Sequence, residues 1–361
     1  MSGGVDSSVA ACMLASEGYD VTGVHLRLVH LADGVDHGCC GPTARADAAA
    51  SAEVAGVPFE VVDLSEPFGD AVIDDFVAEH RAGRTPNPCA RCNGEIKFGA
   101  FLRLAGERGV DHVATGHYVR SELGEDGRWH LFRGRDPGKD QSYMLHMLGQ
   151  RELARSLFPV GGQPKAETRR LAEAFGLPTA AKPDSQELCF APAGDAGGFV
   201  RQHVPELVRP GGQVVHADGR VLAAHDGTFA YTVGQRRGLG VATGEPVYVV
   251  DLDATRNRVV VGPGELLARA GVDVDRVSWV AGEPPCEGPF EAEVRIRYRG
   301  IEIASELELD GDALRVWFST PQHGVAPGQS LVVYRGRELL GGGRIVRSFR
   351  ERGVEPAEVR A

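Results

Sequence analysis

Apolar positions in the first half of the chain fall alternately into helix-spaced and strand-spaced groups. Residues 7–17 read as a helix stopped by Gly18, and residues 20–29 as a strand. An Ala-rich helix is predicted at about 43–55, a strand at 58–64 and a helix at about 67–82. Another helix covers 95–108, and the strand DHVAT runs into Gly116 and His117. This βαβα rhythm predicts an α/β fold, a doubly wound parallel sheet with helices on both faces. Ligands of such sheets bind beyond the C-terminal strand ends. The stretch KAETRRLAEAFGLP, residues 165–178, adds an amphipathic helix. After residue 195 the pattern changes to short alternating runs such as EPVYVVDLD, FEAEVRIRY and QSLVVY, split by Gly, Asp and Pro. These predict two smaller β-rich domains, with a break near residue 265. The expected division is 1–194, 195–265 and 266–350, followed by a polar tail at 351–361.

The length of 361 residues suits two or three domains. No apolar run is long enough to span a bilayer, and MSGGVDSSVA lacks the parts of a signal peptide, so a cytoplasmic protein is expected. A net charge of −11 argues against a non-specific nucleic-acid binder but leaves local basic clusters free to act. Such clusters are Arg133, Arg135 and Lys139; Arg236 and Arg237; Arg295, Arg297 and Arg299; and Arg344, Arg347, Arg350 and Arg352. The last group is expected to be a solvated face. Seven cysteines, an odd number, argue against a disulfide framework and for metal or redox chemistry. Cys12, Cys286 and the Cys39-Cys40 pair are expected to be structural.

Three segments carry chemistry. Ser2-Gly3-Gly4-Val5-Asp6-Ser7-Ser8 runs into a helix. Two glycines let successive amides point inward, and helix N-terminal amides behind them complete an anion cradle. It lacks the lysine of the common P-loop. In TPNPCARCNGEIKFG, residues 85–99, Asn87-Pro88 is a turn that presents Cys89 and Cys92 ahead of a helix. The helix dipole there favours a thiolate on Cys92. In KPDSQELCF, Cys189 sits between Leu188 and Phe190, where a small core cysteine is the commonest outcome.

Together and in order, the Ser2–Ser8 heptad, TPNPCARCNGEIKFG, Ala114-Thr115-Gly116-His117-Tyr118, Lys139-Asp140-Gln141-Ser142-Tyr143, DSQELCF and TVGQRRGLG resemble the bacterial and organellar tRNA-specific 2-thiouridylases. The resemblance spans about residues 1–350. The heptad alone resembles the pyrophosphate loop of the wider N-type ATP pyrophosphatases, whose fold is adenine nucleotide alpha hydrolase-like. The resemblance implies ATP-dependent 2-thiolation of the wobble uridine of glutamate, lysine and glutamine tRNAs. ATP with Mg²⁺ adenylates the C2 oxygen, and a cysteine desulfurase or sulfur-relay protein supplies sulfur as a persulfide. It assigns Cys92 as nucleophile and Cys189 as persulfide carrier, the two forming a transient disulfide. ATP contacts fall on Met1, Ser2, Gly3, Gly4, Val5, Asp6, Ser7, Ser8, Leu26 and Gly116. Asn87, Pro88 and Cys89 touch the target base. Lys139, Asp140 and Gln141, with Arg297 and Tyr298 in the C-terminal barrel, touch tRNA.

Two departures stand out. A loop of this kind follows the first buried strand of its sheet, yet the chain begins at the loop; a translation start assigned late is the expected reason. Many relatives carry Asp where this chain has Cys89. Cys89, Cys92 and Cys189 could therefore ligate three corners of a [4Fe–4S] cluster, an alternative to the favoured persulfide route. His117 is read as either a nucleotide neighbour or a structural histidine, and Trp317-Phe318 as barrel core. The rival functions are an amidating pyrophosphatase of the NAD or GMP synthetase type, which would turn over ammonia without tRNA, and a non-catalytic metal-binding tRNA-binding protein.

Overall fold

A computed structural model describes residues 1–30, 36, 38–184, 188–191 and 196–352. The N-terminal part is α/β. Helix α1, Val5–Ser16, precedes strand β1, Gly23–Arg27. Helix α2, Pro42–Ala55, opens with proline at its first position and ends at Gly56 in the left-handed region, the two ends its sequence signals. Strand β2, Phe59–Asp63, pairs with β1 in parallel. A continuous helical run, residues 65–81 (α3), has a π-helical middle, Gly69–Ile73.

The next helical run, residues 88–107 (α4), corrects the predicted start at residue 95. Asn87 caps it by accepting from the Ala90 amide, and Pro88 occupies the first turn. Cys89 and Cys92 therefore lie inside the helix instead of in a turn ahead of it. From Cys92 to Ala100 the run is π-helical. Strand β3, Val113–Ala114, later pairs in parallel with β6, Ser156–Leu157. Between them lies an antiparallel hairpin, β4 (Val119–Leu123) and β5 (Trp129–Arg133). Helix α5, Lys165–Ala174, packs on α1 around Val5, Val9, Val160, Ala172 and Leu177. Helix α6 is Ala196–His203.

The central region is a four-stranded sheet of β7 (Gly212–His216), β8 (Val221–His225), β9 (Tyr248–Asp253) and β10 (Arg258–Gly262), in the order β8-β7-β10-β9. The C-terminal region is a closed six-stranded barrel: β11 (Arg269–Trp279), β12 (Phe290–Arg295), β13 (Ile303–Asp310), β14 (Ala313–Gln322), β15 (Ser330–Arg335) and β16 (Glu338–Phe349), closed by β11 with β16. Phe318 lies in its core, while Trp317 is half-buried against Phe349.

The regions are welded together. The β4–β5 hairpin extends the barrel sheet, Leu131 pairing with Leu339 on β16. One hydrophobic cluster joins Phe98 of α4, Val119, Leu131, Tyr143 and Leu145 to Val332, Tyr334 and Leu339 of the barrel. Arg344 corrects the expected solvated basic face: it pairs with Asp275 and reaches across to buried Glu79 on α3, which Arg84 also chelates at 2.7 Å. A carboxylate withdrawn from water needs such partners, and here they come from two domains. Arg133 and Arg295 are likewise internal, both pairing with Glu302 beside the Tyr334 ring.

Candidate functional site

The nucleotide end is built at the start of α1. Gly4 is its cap residue and supplies no side chain, so the first-turn amides face outward for an anion. Gly3 has φ +71°, and a β-carbon there would lie 2.1 Å from the Ala44 carbonyl oxygen, so only glycine fits. The Ser7 and Ser8 hydroxyls fold back on the Gly4 carbonyl at 3.2 and 3.0 Å, and Ser2 reaches Ser7. From the other side Gly116 presses on the loop: a β-carbon there would stand 2.6 Å from the Ser7 nitrogen. This cradle, shut to any side chain at Gly3 and Gly116, fits a nucleotide pyrophosphate. Leu26 lies at the C-terminal half of β1, packed against the cysteine-containing cluster described below.

Ion pairs organise this end. The Lys165 ammonium sits 2.6 and 2.8 Å from the two Asp6 oxygens, and the Tyr118 hydroxyl donates to Asp6 at 2.8 Å. Lys165 also contacts Asp184 at 2.8 Å, and Lys139 meets the other Asp184 oxygen at 2.8 Å. Burial works against the Asp184 charge, yet the hydrogen bonds from Lys139 and Lys165 prevail and hold its pKa at about 2. Lys182 ties the loop to α2, donating to the Gly3 carbonyl at 2.9 Å and pairing with Asp47 at 2.5 Å.

The thiol end lies where α4 meets the barrel. Asn87 donates to Ser330 Oγ at 3.2 Å, and Gln329 donates to the Thr85 and Pro86 carbonyls at 2.9 and 3.0 Å. Thr85 also touches Thr232, which opens the TVGQRRGLG segment, at 3.3 Å. The TPNPC loop is thus held by all three regions. Cys92 is buried in a cluster with Leu28, Phe76, Ile96 and Phe190, and Cys189, Leu188, Leu26 and Cys40 pack on that cluster. Gly38 presses on Cys189: a β-carbon there would be 3.2 Å from its Cα. The two expected sulfur-handling residues therefore share one apolar neighbourhood. Cys89 faces solvent by area but is walled in by protein, as in an open cleft; burial pushes its thiol up while Lys97 pulls it back. Tyr298 belongs to the same cleft: burial raises its hydroxyl, and the charges of Arg299, Asp140, Lys139 and Cys89 all act on it.

Several expected residues serve as braces. Asp140 is buried and bonds Ser142, the Gly134 amide and Arg295, so Lys139 is the outward-facing member of its triplet. The Gln141 side chain accepts from the Tyr118 amide at 2.9 Å. Arg297 is exposed. His117 is buried, with Thr115 at 2.8 Å and the Phe98 ring beside it, and burial plus the nearby Lys97 keep it neutral. Ser185, Gln186 and Glu187 of the DSQELCF motif, and the Cys39 side chain, lie outside the described residues. Among the described residues no three His, Cys, Asp or Glu side chains converge as a metal site, so Cys89, Cys92 and Cys189 do not form a ready cluster cradle.

Sequence reading assigned no role to Lys165, Asp184 or Lys97. Lys165 opens the amphipathic stretch, which gave it no separate signal, and it is buried. Asp184 and Lys97 stood inside motifs whose cysteines drew the attention.

An α/β domain with a phosphate cradle before its first helix, backed by two β domains that clamp a cysteine loop, defines a nucleotide-dependent, thiol-bearing class of protein. Family models match in the same order: tRNA methyl transferase HUP domain over residues 1–193, tRNA methyl transferase PRC-barrel domain over 197–263, and aminomethyltransferase beta-barrel domain over 269–345. The tRNA-specific 2-thiouridylase MnmA of Geobacter metallireducens is 47% identical over 96% of this chain and 95% of its own. That of Chloroflexus aurantiacus is 46% identical over 96% and 97%, and that of Pelobacter propionicus 44% over 98% and 98%. The chain belongs to the tRNA-specific 2-thiouridylase family. A solved structure, the U34-tRNA thiolase NcsA from Methanococcus maripaludis with its [4Fe-4S] cluster, aligns with 57% of this chain and 65% of its own. At 17% identity and a TM-score of 0.33 it is too distant to inform the cysteine chemistry.

Proposed function

We propose that this enzyme 2-thiolates the wobble uridine of glutamate, lysine and glutamine tRNAs, using ATP with Mg²⁺ and a persulfide delivered by a cysteine desulfurase or a sulfur-relay protein in the cytoplasm. The observation that carries the reading is the meeting of two ends. Residues 116–118 touch the phosphate cradle through Gly116 and Asp6, while Gln141 ties the same segment to the Lys139 triplet beside the Cys89–Tyr298 cleft.

The C2 position of uracil is a weak electrophile with a poor leaving group, and adenylation of the C2 oxygen corrects the second fault. The amides ahead of α1 and the hydroxyls of Ser2, Ser7 and Ser8 would bind the pyrophosphate. Asp6 would hold Mg²⁺, which supplies charge neutralisation there when bound. The base must leave its stack to enter the cleft, where the Asn87-Pro88-Cys89 stretch would meet it. The terminal persulfide sulfur on Cys189 bonds to C2, and AMP departs with the former C2 oxygen. The Cys92 thiolate then attacks the Cys189 sulfur. The S–S bond breaks with its electron pair going to the thiolated base, and a Cys92–Cys189 disulfide remains. An external thiol reductant restores both cysteines.

The test is anaerobic incubation of unmodified glutamate tRNA with ATP, Mg²⁺ and a sulfur donor, with 2-thiouridine read by mass spectrometry. Product that requires ATP and Cys189 is the expected result. No product beside an active control enzyme overturns the reading. Product that survives iron chelation supports the persulfide route; loss on chelation with recovery on iron and sulfide supports the cluster.

A further inference from the structure

Lys97 has no established task, and its setting is unusual for a lysine. It is half-buried, and among the described residues no acceptor or carboxylate stands within bonding reach of its ammonium. A cation without a carboxylate partner leaves its charge free to meet a visiting anion. Its direction is set by the backbone. In an α-helix the fifth residue on lies about 140° around the axis from the first. The stretch Cys92–Ala100 is π-helical, with bonds spanning five residues, which turns Lys97 nearer to the direction of Cys92 than an α-helix would. The neighbouring face is taken by packing: Asn93 donates to the Met144 carbonyl at 3.1 Å, and Gly94 abuts Met147. Lys97 acts electrostatically on two groups, Cys89 in the cleft and His117, which adjoins Gly116 at the cradle. Its charge therefore stands between the nucleotide end and the base end.

We propose that Lys97 is a catalytic cation, resting on the thiolation reading above: its ammonium contacts the phosphate that joins the activated C2 oxygen and stabilises the negative charge carried off by AMP. Such a charge, fixed where charge develops, lowers the barrier without tightening substrate binding. The π-helix is then the device that aims it.

The test compares wild type, Lys97→Met and Lys97→Arg in steady-state thiolation of glutamate tRNA with a thiol reductant present, with AMP release, ATP affinity and tRNA affinity measured separately. The expected result is a fall of about 100-fold or more in kcat for Lys97→Met with near-unchanged KM for ATP and tRNA, and partial recovery in Lys97→Arg. Full kcat in Lys97→Met overturns the proposal. Equal losses in both variants, or a loss confined to KM, also overturn it, since a packing or docking role would behave so. An inert wild type beside an active control enzyme overturns the thiolation reading itself.

Discussion

At the nucleotide end, a chain of charges running Asp6, Lys165, Asp184 and Lys139 fixes the loop, and every link is a side-chain pair. At the thiol end, Cys92 and Cys189 are held by aromatic and aliphatic packing, and the loop ahead of Cys92 by the Gln329 side chain of the barrel bonding its carbonyls. The contrast follows from the chemistry each end supports. Polyanion binding calls for fixed positive charge and a donor-rich cradle. Sulfur transfer calls for a water-poor site in which a persulfide survives. The difference also locates vulnerability: single polar substitutions should disable the first end, whereas the second should fail through its nucleophiles or through domain separation.

The largest expected effect comes from Cys189→Ser, which should lower 2-thiouridine formation by about 10³-fold or more while tRNA adenylation, read as tRNA-dependent pyrophosphate release, persists. Loss of both activities would erase the division between the ends. Asp6→Ala should reduce ATP cleavage by about 10²-fold or more with tRNA binding retained on filter assays. It also strips Lys165 of one of its two carboxylate partners, so Lys165→Met should show a similar loss. Gly3→Ala should raise the KM for ATP by about tenfold or more, because the new β-carbon meets backbone and not a side chain that can move. Wild-type KM in that variant would show the loop to be softer than its packing implies.

Arg344→Met tests the clamp on the thiol end. Glu79 would keep Arg84 but lose its partner from the barrel, and stability should fall by about 2 kcal/mol in thermal or urea unfolding. The ATP affinity should stay unchanged. The last prediction concerns pH. His146, buried against Ser330 Oγ at 3.0 Å, has its pKa lowered by burial from 6.5 to about 4. Above pH 6.5 it is neutral whether folded or unfolded. As pH falls below 6.5 the unfolded chain takes up a proton that the folded chain refuses. Stability should then drop by up to about 1.4 kcal/mol per unit until pH nears 4. His146→Gln should flatten that slope in a melting series from pH 7 to 4.5, and an unchanged slope would assign the acid response to other groups.

Much of the site could be read from the chain because its signals are local. The cradle needs glycines at fixed offsets and a helix directly after them, and both are contiguous in sequence. The start of α4 was equally legible in Asn87-Pro88, but the cysteines were read as turn residues and the helix was placed seven residues late. The barrel strands could be recognised by alternation. The β4–β5 hairpin could not be assigned to the barrel, since strand pairing across some 200 positions leaves no trace in either segment.

By itself the sequence determined the α/β rhythm, the phosphate loop, the cysteine positions and the family, since each rests on short-range spacing or on ordered motifs. Tertiary structure alone decided which charges are spent internally. Arg344, Arg295 and Asp140 read as surface or RNA-facing residues until packing supplied Glu79, Glu302 and Ser142 as partners. It also decided where Lys97 lies around its helix, because the helix there winds with five-residue bonds. The physical reason is the same in both cases: burial and helix winding are set by what packs against a segment, and that neighbour is distant in the chain.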